Sequence, residues 1–107
     1  MSGALEAVDR ILNRGGHPDD VLRDVLEALV ERGATDWAGV AFLEDGRPVL
    51  GPFLGAARPD EIEMRRIELG GSLVGELWAA PGGDRAVLDR VAVVVAPYVR
   101  VDSGGAP

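Results

Sequence analysis

Apolar residues recur at two periods along this chain, and the change of period divides it into blocks. Leu5, Val8, Ile11 and Leu12 fall at helical spacing. Ser2 is placed to cap that segment and Gly15-Gly16 to stop it. A second helical stripe follows in Val21, Leu22, Val25, Leu26, Leu29 and Val30. Pro18 suits its first turn, where a missing N–H costs nothing. Asp19 and Asp20 sit where the helix dipole favours negative charge, and Arg32-Gly33 ends the stripe.

From Trp37 onward the pattern is that of strands. Trp37 to Leu43, Pro48 to Leu54, Glu61 to Leu69 and Leu73 to Ala79 are predicted as four strands. Asp45-Gly46 and Gly70-Gly71 are tight hairpin turns. Pro48 and Pro52 cannot donate to a ladder, which puts the second strand at an edge. In the third strand the apolar set shifts from Ile62 and Met64 to Ile67 and Leu69, which predicts a β-bulge at Arg65-Arg66. Pro81-Gly82-Gly83 breaks the chain. Asp84 then caps a last helix that buries Val87, Leu88, Val91, Val94 and Val95. Residues 1–101 read as one domain and 102–107 as a disordered tail.

The order α-α-β-β-β-β-α belongs to the α+β class. Strands one and four are apolar on both faces and therefore central. This gives an antiparallel sheet of order 2-1-4-3 with the helices packed on one face. The link at Ala56 to Asp60 must then cross the sheet end, a span of about 14 Å. Extended chain of that length reaches roughly 17 to 20 Å. A 1-2-3-4 meander, or a strand exchanged between two chains, stays open.

Composition narrows the chemistry. A chain of 107 residues supports one core and no second. The net charge of −7 repels nucleic-acid phosphates and anionic lipid. No nucleic-acid or membrane partner is expected. All 11 basic side chains are Arg, which reads as a GC-rich coding bias. The absence of Cys removes disulfides, thiolate catalysis and Cys-based metal sites. With one His, a His-rich metal site is ruled out too. No signal peptide or membrane-spanning run is apparent, so the bacterial cytoplasm is the expected location.

Asp36-Trp37-Ala38-Gly39-Val40-Ala41-Phe42-Leu43, followed by Val49-Leu50-Gly51-Pro52-Phe53-Leu54-Gly55, resembles the first hairpin of GAF domains. Leu73-Val74-Gly75-Glu76-Leu77 and the helix after it resemble the GAF closing strand and helix. The likeness covers most of residues 18–100, and its Leu-Gly-Pro-Phe-x-Gly run is nearest to the free methionine-(R)-sulfoxide reductase branch. That branch uses cysteines in the segment that shrinks here to Ala56–Asp60, so its thiol chemistry is impossible. Trp37 matches the branch's cage tryptophan. Ala41 stands where the branch has an aromatic residue, and Trp78 and Ala80 where it has paired carboxylates. In GAF domains the missing segment roofs the ligand pocket. The resemblance therefore implies a truncated GAF-like domain with one bare sheet face.

Period-two alternation assigns Ala38, Val40, Phe42, Leu73, Gly75 and Leu77 to the helix side. Trp37, Gly39, Ala41, Leu43, Val74, Glu76 and Trp78 go to the bare side. Two exposed Trp residues there would make an apolar patch of the kind that marks a ligand or partner surface. Trp37, Ala41, Leu43, Glu76 and Trp78 are the candidate site. The competing reading makes Trp37 and Trp78 core residues covered by the chain itself. The function expected is a non-catalytic binding or dimerisation module in bacterial signalling or regulation, with a homodimer as the expected partner. The alternatives are a small-molecule sensor with a pocket on that face, and, more remotely, an enzyme using Glu61, Glu63, Glu68 and Glu76. No cofactor or metal is called for. His17 reads as a helix-start contact.

Overall fold

The computed structural model describes the backbone of residues 3–56 and 59–103, with side chains through Val99. His17 caps α2 (Pro18–Glu31), its Nδ1 accepting from the Asp19 N–H at 3.2 Å. At the other end the Ala34 N–H donates to the Leu29 carbonyl past Gly33, whose φ is 77°. That is the left-handed closure expected of glycine after a helix. α1 (Ala4–Arg14) starts at Gly3 without a side-chain cap, and Ser2 lies outside the described residues.

The strands are β1 (Trp37–Glu44), β2 (Arg47–Gly55), β3 (Glu63–Leu69) and β4 (Ser72–Ala79). They form one antiparallel sheet of order β2-β1-β4-β3, and the meander is excluded. Both hairpin turns have positive φ at both central residues, 53° and 77° at Asp45-Gly46 and 61° and 84° at Gly70-Gly71. This matches the right-handed twist of the strands they join.

Two register shifts shape the sheet. Gly39 pairs with Phe53 but Ala41 with Leu50, so β2 carries an extra residue at Gly51-Pro52, a position that tolerates proline. Ile67 pairs with Gly75 but Glu68 with Leu73, so the extra residue there is Val74 on β4. The bulge expected at Arg65-Arg66 is absent, and these two pair regularly with Leu77 and Glu76. Arg65 instead occupies a core-facing position, which broke the apolar alternation of the sequence. The Val74 bulge also swaps two assignments: Val74 packs on the helix-side core, while Leu73 pairs with Glu68.

The helices cover one face. α2, α3 (Arg85–Val94) and α4 (Ala96–Ser103) pack on the strands, and α1 packs on α2 and α3. Their core joins Leu22, Leu26 and Leu29 of α2 to Val40, Ile67 and Leu77 of the sheet. The single final helix expected from the sequence is two helices. Pro97 has no N–H to donate back to Val93, so the first helix stops at Val94 with Val95 as its C-cap, and the chain restarts at Ala96. α4 runs through Ser103, two residues into the expected tail, and residues 104–107 lie outside the described ones.

Candidate functional site

β1 and β4 lie side by side in the middle of the sheet, with Gly39 opposite Trp78 and Ala41 opposite Glu76. On the face away from the helices, Trp37, Ala41, Trp78 and Ala80 form a second cluster, with Leu50 and Ile62 packed against it. The structure thus brings together four of the five candidate residues. Leu43 sits one step further along β1, half-buried and opposite Pro48.

The expectation of an exposed Trp patch is corrected. Trp37 is 1% exposed, Ala41 0% and Trp78 7%. The chain supplies its own cover, as the competing reading held. Leu50 comes over from β2 and Ile62 from the residues before β3. The Phe53 ring lies 5.9 Å from that of Trp37, tilted by 31°, within the range of favourable aromatic pairs. Gly55 permits the closure. Its φ is 133°, and a Cβ there would lie 2.7 Å from Trp37 Cδ1.

The exposed apolar groups of this face are Phe53 (53%) and Met64 (57%), opposite Gly39 and Trp78 respectively. Sequence reasoning missed both as surface groups. The signal was there: both belong to edge strands and share the Trp face once the register is fixed.

The polar groups are few. Glu76 is half-buried, and its Oε1 accepts from Trp78 Nε1–H at 2.8 Å. Two residues apart on one strand, they share a face. Trp37 Nε1–H is buried and meets no acceptor among the described residues. The Trp37 backbone is fixed by Thr35, whose hydroxyl donates to the Trp37 carbonyl at 3.0 Å.

The carboxylates singled out as an acid–base cluster do not converge. Glu63 lies 3.7 Å from Arg65, Glu68 3.0 Å from Arg66, and Glu76 is bonded to Trp78. Glu61 is exposed ahead of β3. Among the described residues no group of three or more His, Cys, Asp or Glu could hold a metal ion. No described helix is long and apolar enough to cross a membrane. An open cleft of about 480 Å³ lies between α1 and α2, lined by Arg10, Arg14, Asp24 and Glu27. It is on the opposite side of the molecule from the Trp cluster.

No family model matches this chain, and no curated protein does. Solved structures do. The GAF domain of a phosphoenolpyruvate-protein phosphotransferase from Coxiella burnetii superposes with a TM-score of 0.72 at 15% identity, covering 98% of each chain. The corresponding GAF domain from Acinetobacter gives 0.71 at 12% identity, covering 95% of this chain and 96% of that one. A type II free methionine-R-sulfoxide reductase from Thermoplasma acidophilum gives 0.63 at 18% identity, covering 77% of this chain and 92% of that one.

Proposed function

Because the chain has the GAF fold that these structures share, we propose that it is a non-catalytic binding module of bacterial signalling or regulation. It acts in the cytoplasm and as a homodimer. The compartment behind the sheet is its small-molecule site. One observation carries this reading: the Trp37 indole N–H is buried and meets no acceptor among the described residues. A buried donor left unpaired costs free energy, about 1–3 kcal/mol. A ligand carbonyl or carboxylate oxygen placed there recovers that cost.

The surroundings agree with binding. Trp37 and Trp78 line the compartment under the cover of Leu50 and Ile62, and Ala41 and Ala80 are small. Phe53 and Met64 form an apolar rim. The non-catalytic part rests on chemistry. The chain has no cysteine, and Glu76, the ionisable group of the candidate set, is held as an acceptor by Trp78. The neighbours' own activities are not carried over to this chain.

The test is a thermal-shift screen with small carboxylates, amides and free amino acids, followed by Trp37→Phe. We expect at least one compound to raise the melting temperature and quench tryptophan emission. Trp37→Phe keeps the fold and abolishes the shift. A shift that survives Trp37→Phe overturns this placement of the ligand.

A further inference from the structure

The two edges of the sheet differ. β2 is blunted by Pro48, Pro52 and its own bulge, devices that keep an edge from pairing with another chain. β3, at the other edge, has seven residues without proline. Its one register irregularity is absorbed by Val74 on β4, so β3 itself stays regular. One side of β3 is hydrogen-bonded to β4, and the other is the outer margin of the sheet. Among the described residues no strand pairs with that margin, and a regular row of open backbone donors and acceptors is a template for one more strand.

We infer that this strand is β3 of a second copy, paired antiparallel about a two-fold axis at Ile67, so that two sheets join into one of eight strands. The inference rests on the homodimer of the proposed function and names its interface. Arg66 and Glu68 flank Ile67 and point to the same face. In the lone chain they pair with each other at 3.0 Å, with side chains 69% and 46% exposed. Centring on Ile67 sets Arg66 opposite Glu68 of the partner subunit, and Glu68 opposite the partner's Arg66. Four charges of alternating sign then lie across the seam. Centring on Arg66 or on Glu68 instead sets like charges directly opposite, which is destabilising. Among the registers centred on Arg66, Ile67 and Glu68, the charge pattern therefore favours Ile67, and a centring on Met64 would draw on Arg65, which Asp89 already holds.

The helix layer is compatible. A two-fold axis normal to the sheet keeps both α3 helices on one side. Asp89 of α3 is exposed, yet its Oδ1 accepts from Arg65 Nε–H of β3 at 2.8 Å. That flank of α3 therefore lies on the β3 side. Val93, one turn further along the same flank, is 62% exposed.

The test is solution mass by size exclusion with light scattering on the full chain at micromolar concentration. The wild type is expected at twice its 11.2 kDa chain mass. Arg66→Glu and Glu68→Arg should each run as monomers, with unchanged circular dichroism because both sites are exposed. The double variant R66E/E68R should be dimeric again. An equimolar mixture of the two single variants should form a heterodimer, since one edge is then all acidic and the other all basic. A wild-type monomer sinks the homodimer and this interface together. A wild-type dimer that both single variants leave intact keeps the homodimer and overturns the β3 edge.

Discussion

Arg65 shows how one side chain hides a strand's face. It occupies a core-facing position between Glu63 and Ile67, its side chain only 14% exposed. Its Nε donates to Asp89, while its Nη1 is buried with no partner among the described residues. A buried cation with an incomplete set of acceptors is a weak stabiliser. Arg65→Met should therefore be neutral or slightly stabilising in urea unfolding. Asp89→Ala leaves the guanidinium without its shortest partner and should cost about 1–2 kcal/mol. A larger loss from Arg65→Met than from Asp89→Ala would show that the guanidinium's polar contacts, to Glu63 as well as Asp89, contribute net stability. At Trp37, removing the unpaired N–H offsets part of the lost ring area. Trp37→Phe should cost about 1–2 kcal/mol in the same assay, well below a truncation to Ala.

Among the elements, α4 depends on a glycine across from it. A Cβ on Gly75 would run into the Ala41 carbonyl oxygen and come within 3.0 Å of Val99 Cγ1. α4 can lie on β4 only because that Cβ is missing. Gly75→Ala should destabilise the fold by about 1–3 kcal/mol, the usual range for overpacking. A null effect in chemical denaturation would mean that α4 shifts freely. The break before α4 was legible in principle, since Pro97 stands inside the apolar run. The apolar spacing of Val91, Val94 and Val95 masked it. The β3 bulge was misplaced for a similar reason: alternation was read from apolar residues alone, and Arg65 at an inward position looked like a slip.

For the whole molecule, the sheet carries two apolar compartments. The main core lies under the helices and the Trp cluster lies on the other face. β1 and β4 contribute side chains to both, so neither compartment can come apart without the strands that hold the other. Tryptophan emission, which reports the Trp face, should therefore unfold at the same denaturant midpoint as the far-UV circular dichroism of the helices. This is the usual signature of a small cooperative domain. An earlier emission transition would mark the Trp compartment as a separately opening unit.

The sequence favoured the strand order, and the structure excluded the meander it had left open. Pro48 and Pro52 forced β2 to an edge, and the two-sided apolar character of β1 and β4 placed both in the centre. His17, Asp84 and the two glycine turns were equally local, since each acts on its own backbone within three residues. The fate of the Trp face was not local. Trp37 and Trp78 are buried by Leu50, Ile62 and Phe53, which reach them only through pairing and through the bulge at Gly51-Pro52. Period-two alternation says which face a side chain takes. Cover on that face is set by how the neighbouring strands register and how the β2–β3 link returns, and only the tertiary structure decides that.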